Sequence, residues 1–337
     1  MPGLLLVLIV VFGFFSAQDK AQAAVAGKKL VIAYAAMNAR VCPLWAPRER
    51  GFFTKYGFDA ETLFVRGAPT LVAAMASNDI EVGYTGGTAV IGSVASGSDL
   101  KVLSALTNRV TYDLVVRPGI KSPEDLRGKK FGVQAIGGTV WMGAMLALEH
   151  LGLDAERDKI AIIAAGDQTV LAQAVASGTI DATVLDGVQS RPLHAKGFPI
   201  LAELDKAKLP ILSSSIVARE PYIQKNPQTV ENVLRSVIEG AAFCLSPTQK
   251  PITLKILQKY LRISEKDAEE GYKDMVTGLD RKPYANPAGV TNVIRLMKRS
   301  NPKVETVKPE NLIDDRFMKK LDQSGFIDEM MAKYGVK

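Results

Sequence analysis

From residue 29 onward the apolar positions fall into short runs separated by stretches with helical spacing. Residues 30–34 are an apolar run of strand length, and residues 43–56 carry Leu44, Trp45, Phe52 and Phe53 before a stop at Gly57. Residues 60–65 again read as a strand. Pro69 opens a helix through Leu71, Val72 and Met75 that ends near Asn78, and residues 80–84 form a third strand. An order of β-α-β-α-β predicts a parallel sheet with helical crossovers.

The same order returns from Lys130: strand 130–134, helix 139–151, strand 160–164, helix 168–177 and strand 180–185. The two copies also echo each other in sequence. Tyr56-Gly57-Phe58-Asp59-Ala60-Glu61 parallels Leu151-Gly152-Leu153-Asp154-Ala155-Glu156, and the run from Leu71 to Ile80 parallels that from Leu171 to Ile180. Asn78, Gly178, Gly57 and Gly152 stand where a helix needs a left-handed residue just past its end, which these two residue types tolerate best. The pattern predicts two α/β lobes.

The remainder reads as helical. Asn226-Pro227 and Asn286-Pro287 are helix-start signals, followed by Val230, Val233, Leu234, Val237 and Ile238 and by Val290, Val293, Ile294 and Met297 at i, i+3, i+4, i+7 spacing. Further helices are expected over 253–261, 265–276 and 315–331. Two extended segments, 112–117 and 210–217, read as crossings between the lobes. The expected division is a first lobe of 28–116 plus 213–337 and a second of 117–212.

Composition narrows the function. Among 337 residues there are two cysteines and two histidines, His150 and His194, so neither a disulfide scaffold nor a zinc cluster can be assembled. No cofactor and no metal are expected. The formal charge of +7 is spread among acidic residues rather than gathered on a stripe with aromatics, which argues against a nucleic-acid partner. Residues 4–15 are apolar, shorter than a membrane span, and Ala21-Gln22-Ala23 places small residues at −3 and −1 of a cleavage before Ala24. Ala24-Val25-Ala26 offers a second site, and no Lys or Arg precedes the apolar run. A signal peptide over 1–23 and export are expected.

Arg50-Gly51-Phe52-Phe53-Thr54-Lys55-Tyr56-Gly57-Phe58-Asp59 resembles a signature of the type II periplasmic binding proteins. Gly67-Ala68, Ala76-Ser77-Asn78-Asp79-Ile80-Glu81-Val82-Gly83, Asp125-Leu126-Arg127-Gly128-Lys129 and Ala176-Ser177-Gly178-Thr179-Ile180-Asp181-Ala182 follow at matching spacing. Over residues 29–225 the chain is similar to the substrate-binding proteins of ABC importers for nitrate, sulfonate, taurine and thiamine-precursor compounds. The resemblance implies a two-lobed α/β fold, each lobe a mostly parallel sheet flanked by helices, with a hinge of two crossings. It implies a monomeric periplasmic protein that closes on a small polar or anionic organic molecule and delivers it to an ABC permease in the inner membrane, without catalysis. The alternatives are an enzyme on the same fold, of the thiamine-pyrimidine-synthase kind, and a ligand-sensing protein uncoupled from transport. The cysteine-rich motif and active-site histidine of those synthases have no evident counterpart here.

The site can be placed independently, because open parallel sheets bind ligands beyond the carboxyl ends of their strands. Those ends carry Asn38, Arg66 and Gly86-Gly87-Thr88 in the first copy, and Gly137-Gly138-Thr139, Gln168 and Asp186 in the second. Each Gly-Gly-Thr triplet lies between a strand and a helix, where glycine admits close approach and the helix start presents free N–H groups. The same triplets also read as plain turns and caps. Arg66 suits an anionic group or a lobe-bridging ion pair, and Asp186 suits a ligand hydrogen bond or a helix cap. Trp45 and Trp141 suit a stacked ligand or, by preference, the core. Cys42 and Cys244 fall in the same expected lobe, and their spacing leaves pairing undecided.

Overall fold

The computed structural model describes residues 28–336; the apolar leader and its cleavage motif lie outside them. Among the described residues ten strands form two five-stranded sheets. They are β1 (Lys28–Tyr34), β2 (Phe58–Phe64), β3 (Val82–Thr85), β4 (Leu100–Arg109), β5 (Asp113–Val116), β6 (Lys130–Val133), β7 (Ala161–Ala164), β8 (Ala182–Leu185), β9 (Ile200–Glu203) and β10 (Pro210–Arg219).

The first sheet runs β2-β1-β3-β10-β4 and the second β7-β6-β8-β5-β9. The repeated half is thus visible as one strand order used twice. In each sheet β1 or β6 pairs in parallel with its two neighbours, while β10 or β5 pairs antiparallel on both sides. The antiparallel strand is the one that enters directly from the other lobe. Strand pairing therefore shifts the expected crossings. Asp113–Val116 belongs to the second sheet and Pro210–Leu212 to the first, so the chain changes lobes over 110–112 and again between Glu203 and Pro210.

The local signals act as read. Asn78 and Gly57, Gly152 and Gly178 all adopt positive φ, closing their helices with a left-handed residue. Two expected helices are broken. Gly51, at φ +71, divides residues 43–56 into Cys42–Arg50 and Phe52–Lys55, and Gly325, at φ +77, divides 315–331 into Arg316–Gln323 and Phe326–Lys333. A left-handed residue reverses the backbone hand and ends the i→i−4 ladder.

The C-terminal helices cover the first sheet. The Pro227–Leu245 helix lies against the Cys42–Arg50 helix at Gly240, where a Cβ would strike the Pro43 carbonyl. Its fully buried Glu239 carboxylate accepts from Lys55 Nζ at 2.5 Å, Tyr56 hydroxyl at 2.7 Å, Lys333 Nζ at 2.7 Å and Tyr334 hydroxyl at 3.0 Å. Burial works against that charge, but the four donors outweigh it and hold the carboxyl down at about 2. Glu239 thereby ties the last helix to the first α/β unit. Among the described residues no helix is long and apolar enough to cross a membrane.

Candidate functional site

The carboxyl ends of the parallel strands face one another across the lobe boundary, where they enclose two adjoining spaces. The inner one is a cavity of about 40 Å³ walled by Ala35, Arg40, Thr85, Thr139, Gln168 and Ser213, among others. The outer one, of about 610 Å³, lies between Met37, Phe64, Arg66, Gln168, Asp186 and Tyr260. Behind the outer wall, Trp45 stacks on Tyr260 with ring centroids 4.6 Å apart and planes 11° from parallel.

Arg40 dominates the inner wall. It follows β1 in a short 3₁₀ turn capped by the Asn38 side chain, which accepts from the Arg40 amide at 3.1 Å. Its own carbonyl accepts from the Tyr84 hydroxyl at 2.5 Å, and its guanidinium lies over the Tyr112 ring at 5.0 Å. Arg40 is 1% exposed, and its Nη2 donates to Asp186 Oδ1 from the other lobe. Burial alone would weaken the guanidinium's hold on its proton, but Asp186, Tyr112 and Asp274 raise its pKa above the ordinary arginine value.

The pair is only partly satisfied. Arg40 Nε, Asp186 Oδ2, the Gln168 side-chain amide nitrogen and the Thr85 hydroxyl are all buried without a hydrogen-bond partner. Unmade bonds of this kind are costly in a dry site. These four lie where a small polar molecule would meet donors and acceptors from both lobes.

Two further carboxyl groups lie beyond Asp186: Asp274, which also acts on the Arg40 guanidinium, and Asp113, which pairs with Arg191 at 3.6 Å. Asp274, from the Glu265–Gly278 helix, accepts from the Gly187 amide at the start of the Gly187–Ala195 helix. Burial and the nearby Asp186 push its carboxyl up to about 7, with the Gly187 N–H pulling partly the other way. Asp113, which accepts from the Ser190 hydroxyl at 2.6 Å, is also raised by burial.

The residues singled out from sequence divide into three groups. Asn38, Gly86, Gly138, Thr139 and Gln168 line the inner cavity; Asn38, Arg66, Gln168 and Asp186 line the outer one. Gly87, Thr88 and Gly137 line neither: Gly87 packs on Leu212, Thr88 is buried, and Gly137 takes φ +77 with open space beside it. Gly86 is required by close approach, since a Cβ there would land on the Thr139 hydroxyl of the other lobe. Arg66 bridges the lobes through Asp167 at 2.8 Å. Asp186 occupies a helix N-cap position without making the side-chain cap, its carboxylate being turned to Arg40. Trp45 is core, and Trp141 lies in a separate groove beside Arg295 and Arg299. Sequence reading missed Arg40, Tyr112 and Asp274. The strand-end rule that selected Asn38 reaches Arg40 two residues later, whereas nothing local marks Asp274.

With this geometry in view, three comparisons are informative. A Brucella abortus protein named as a binding protein, with no ligand in its name, is 27% identical over 229 residues, which are 67% of this chain and 69% of that one. The periplasmic aliphatic sulphonate binding protein SsuA of Escherichia coli superposes with a TM-score of 0.67 at 17% identity, over 86% of this chain and 93% of that one. The periplasmic nitrate-binding protein NrtA of Synechocystis PCC 6803 gives 0.71 at 13% identity, over 90% and 91%. The fold is therefore the two-lobed fold of periplasmic binding proteins. The NMT1/THI5-like family model matches residues 38–250, more than half of the chain, and the chain belongs to the NMT1/THI5-like family.

Proposed function

We propose that this protein is an exported, monomeric solute-binding component of an ABC importer. It captures a small polar or anionic organic molecule between its lobes and presents it to a membrane permease. The observation that carries this reading is the set of unpaired buried polar atoms at the lobe boundary: Arg40 Nε, Gln168 Nε2, Thr85 Oγ1 and Asp186 Oδ2. A headgroup with acceptors meets the arginine and the amide, and the Asp186 oxygen takes a donor. The outer space, at about 610 Å³, is within the range of small-molecule sites and offers Met37, Phe64 and Tyr260 to an organic body. The inner cavity, at about 40 Å³, has room for only a few waters, so entry of a headgroup requires the lobes to part and close again.

The anionic part of the reading carries a condition. Arg40 is already neutralised by Asp186, so an anion must compete with that carboxylate, whereas a polar neutral or zwitterionic group need not. A binding role rather than an enzymatic one is supported by the placement of the reactive residue types. Cys42 and Cys244 are buried and line neither space, and His150 and His194 are exposed outside the cleft.

A thermal-shift screen of the purified protein against sulfonates, nitrate, aromatic acids, pyrimidines and vitamins tests the proposal. A ligand at a hundredfold excess over its dissociation constant is expected to stabilise the protein by about 2.7 kcal/mol. Small-angle scattering should show a smaller radius of gyration with that ligand. Failure of every class to stabilise the protein at millimolar concentration would overturn it.

A further inference from the structure

The two cysteines stand 202 positions apart in sequence, yet their sulfur atoms are 3.1 Å apart, and both residues are fully buried. The packing that brings them together is specific. Cys42 begins the Cys42–Arg50 helix and Cys244 lies in the last turn of the Pro227–Leu245 helix. Gly240, one turn before Cys244 on the same face, lets the second helix approach until a side chain there would strike Pro43 and Pro47. Close backbone contact at Gly240 therefore sets the spacing one turn further on, at the sulfur pair.

We propose that Cys42 and Cys244 form a disulfide that clamps the first helix to the C-terminal helical tail. The step is a thiol–disulfide exchange with a disulfide-bearing oxidant. One cysteine thiolate attacks the oxidant and expels one thiol. The second cysteine then attacks the resulting mixed disulfide and expels the other. The two cysteines lose two protons and two electrons, and the oxidant becomes two thiols. The sulfur atoms need to close by about 1 Å to reach a bond of about 2.05 Å. Burial raises the Cys244 thiol, so exchange belongs to the folding stage, before the two helices seal the pair from solvent.

The clamp lies directly beneath the candidate site. Cys42 is two residues beyond Arg40, whose carbonyl is held by Tyr84. A covalent bond there would brace the turn that presents the guanidinium. The oxidising compartment rests on the proposed function, so the test supplies its own oxidant, and a wrong compartment cannot be mistaken for a wrong pairing.

The purified protein is unfolded, refolded with oxidised glutathione, alkylated with N-ethylmaleimide in guanidinium chloride and weighed intact. The expected product carries no adduct and is about 2 Da lighter than the reduced chain; after reduction it takes two adducts. Two adducts without reductant, or stable glutathione adducts in place of the cross-link, would overturn the pairing. The oxidised protein should melt about 5 °C or more above the reduced one. Cys42→Ser and Cys244→Ser cannot close the cross-link: each should carry a single glutathione or N-ethylmaleimide adduct without reductant, one N-ethylmaleimide adduct after reduction, and should lose that shift. Equal melting temperatures for the oxidised and reduced wild type would overturn the bracing role.

Discussion

Of the arginine–aspartate pairs that cross the lobe boundary, the two that line the candidate cleft differ in nearly everything but chemistry. Arg40–Asp186 has side chains 2% and 4% exposed, whereas Arg66–Asp167 has side chains 66% and 23% exposed. Water and salt screen the outer pair, so its two partners lose little when separated. In the inner pair each charge depends on the other, because neither has water to replace its partner. On the proposed function the inner pair would latch the closed cleft, its opening coupled to solvent entry, while the outer pair is an exposed bridge at the rim. Position in the cleft sets the worth of the pair.

Removing one member of each pair should expose that difference. Arg40→Met leaves Asp186 buried without its cation and is expected to disfavour the closed arrangement by about 3–5 kcal/mol. Scattering should then report a larger radius of gyration for the variant. Adding Asp186→Leu should recover most of the loss; an additive double variant would contradict the latch.

The second expected effect concerns Asp274, which borders the inner pair. Its folded-state carboxyl is raised to about 7, above an unfolded value of about 3.9, so its contribution to stability is full below the lower value and is lost as pH rises through the upper one. The melting temperature should fall between about pH 4 and pH 7 by an amount that Asp274→Asn abolishes. A variant with the wild-type pH slope would assign that dependence elsewhere.

Thr139 sits on the inner wall, at the first position of the Thr139–His150 helix. Thr139→Ala should weaken binding of a ligand found in the screen several-fold while the ligand-free melting temperature moves little. Loss of stability with unchanged affinity would make Thr139 a helix-start residue only, since the N-cap position itself belongs to Gly138. The smallest effect is expected at the rim. Arg66→Gln should change stability by less than about 1 kcal/mol, and less still in high salt. A loss at Arg66 as large as that at Arg40 would erase the distinction between the pairs.

Much of the architecture was legible because it is written in local terms. The left-handed stops at Gly57, Asn78, Gly152 and Gly178, the prolines that open helices and the twice-used β-α-β order all depend on neighbours within a few residues. β4 escaped because Leu100–Arg109 is largely buried on both faces and so shows no alternation of apolar and polar positions. The candidate site was legible by half. The strand-end rule found Asn38, Thr139, Gln168 and Asp186, which line the cleft, but it took Gly87, Thr88 and Gly137 by the same logic, and these line neither space.

From the sequence alone came the two-lobed α/β plan, the helical tail and the sheet edges that face the candidate site, since periodicity, caps and strand ends are properties of short stretches. Tertiary structure alone decided which arginine is latched to which aspartate. Arg40 and Arg66 both follow a strand, and nothing within reach of either tells them apart. Their partners lie 146 and 101 positions away, and burial, which makes one pair strong and the other weak, exists only once the lobes have met.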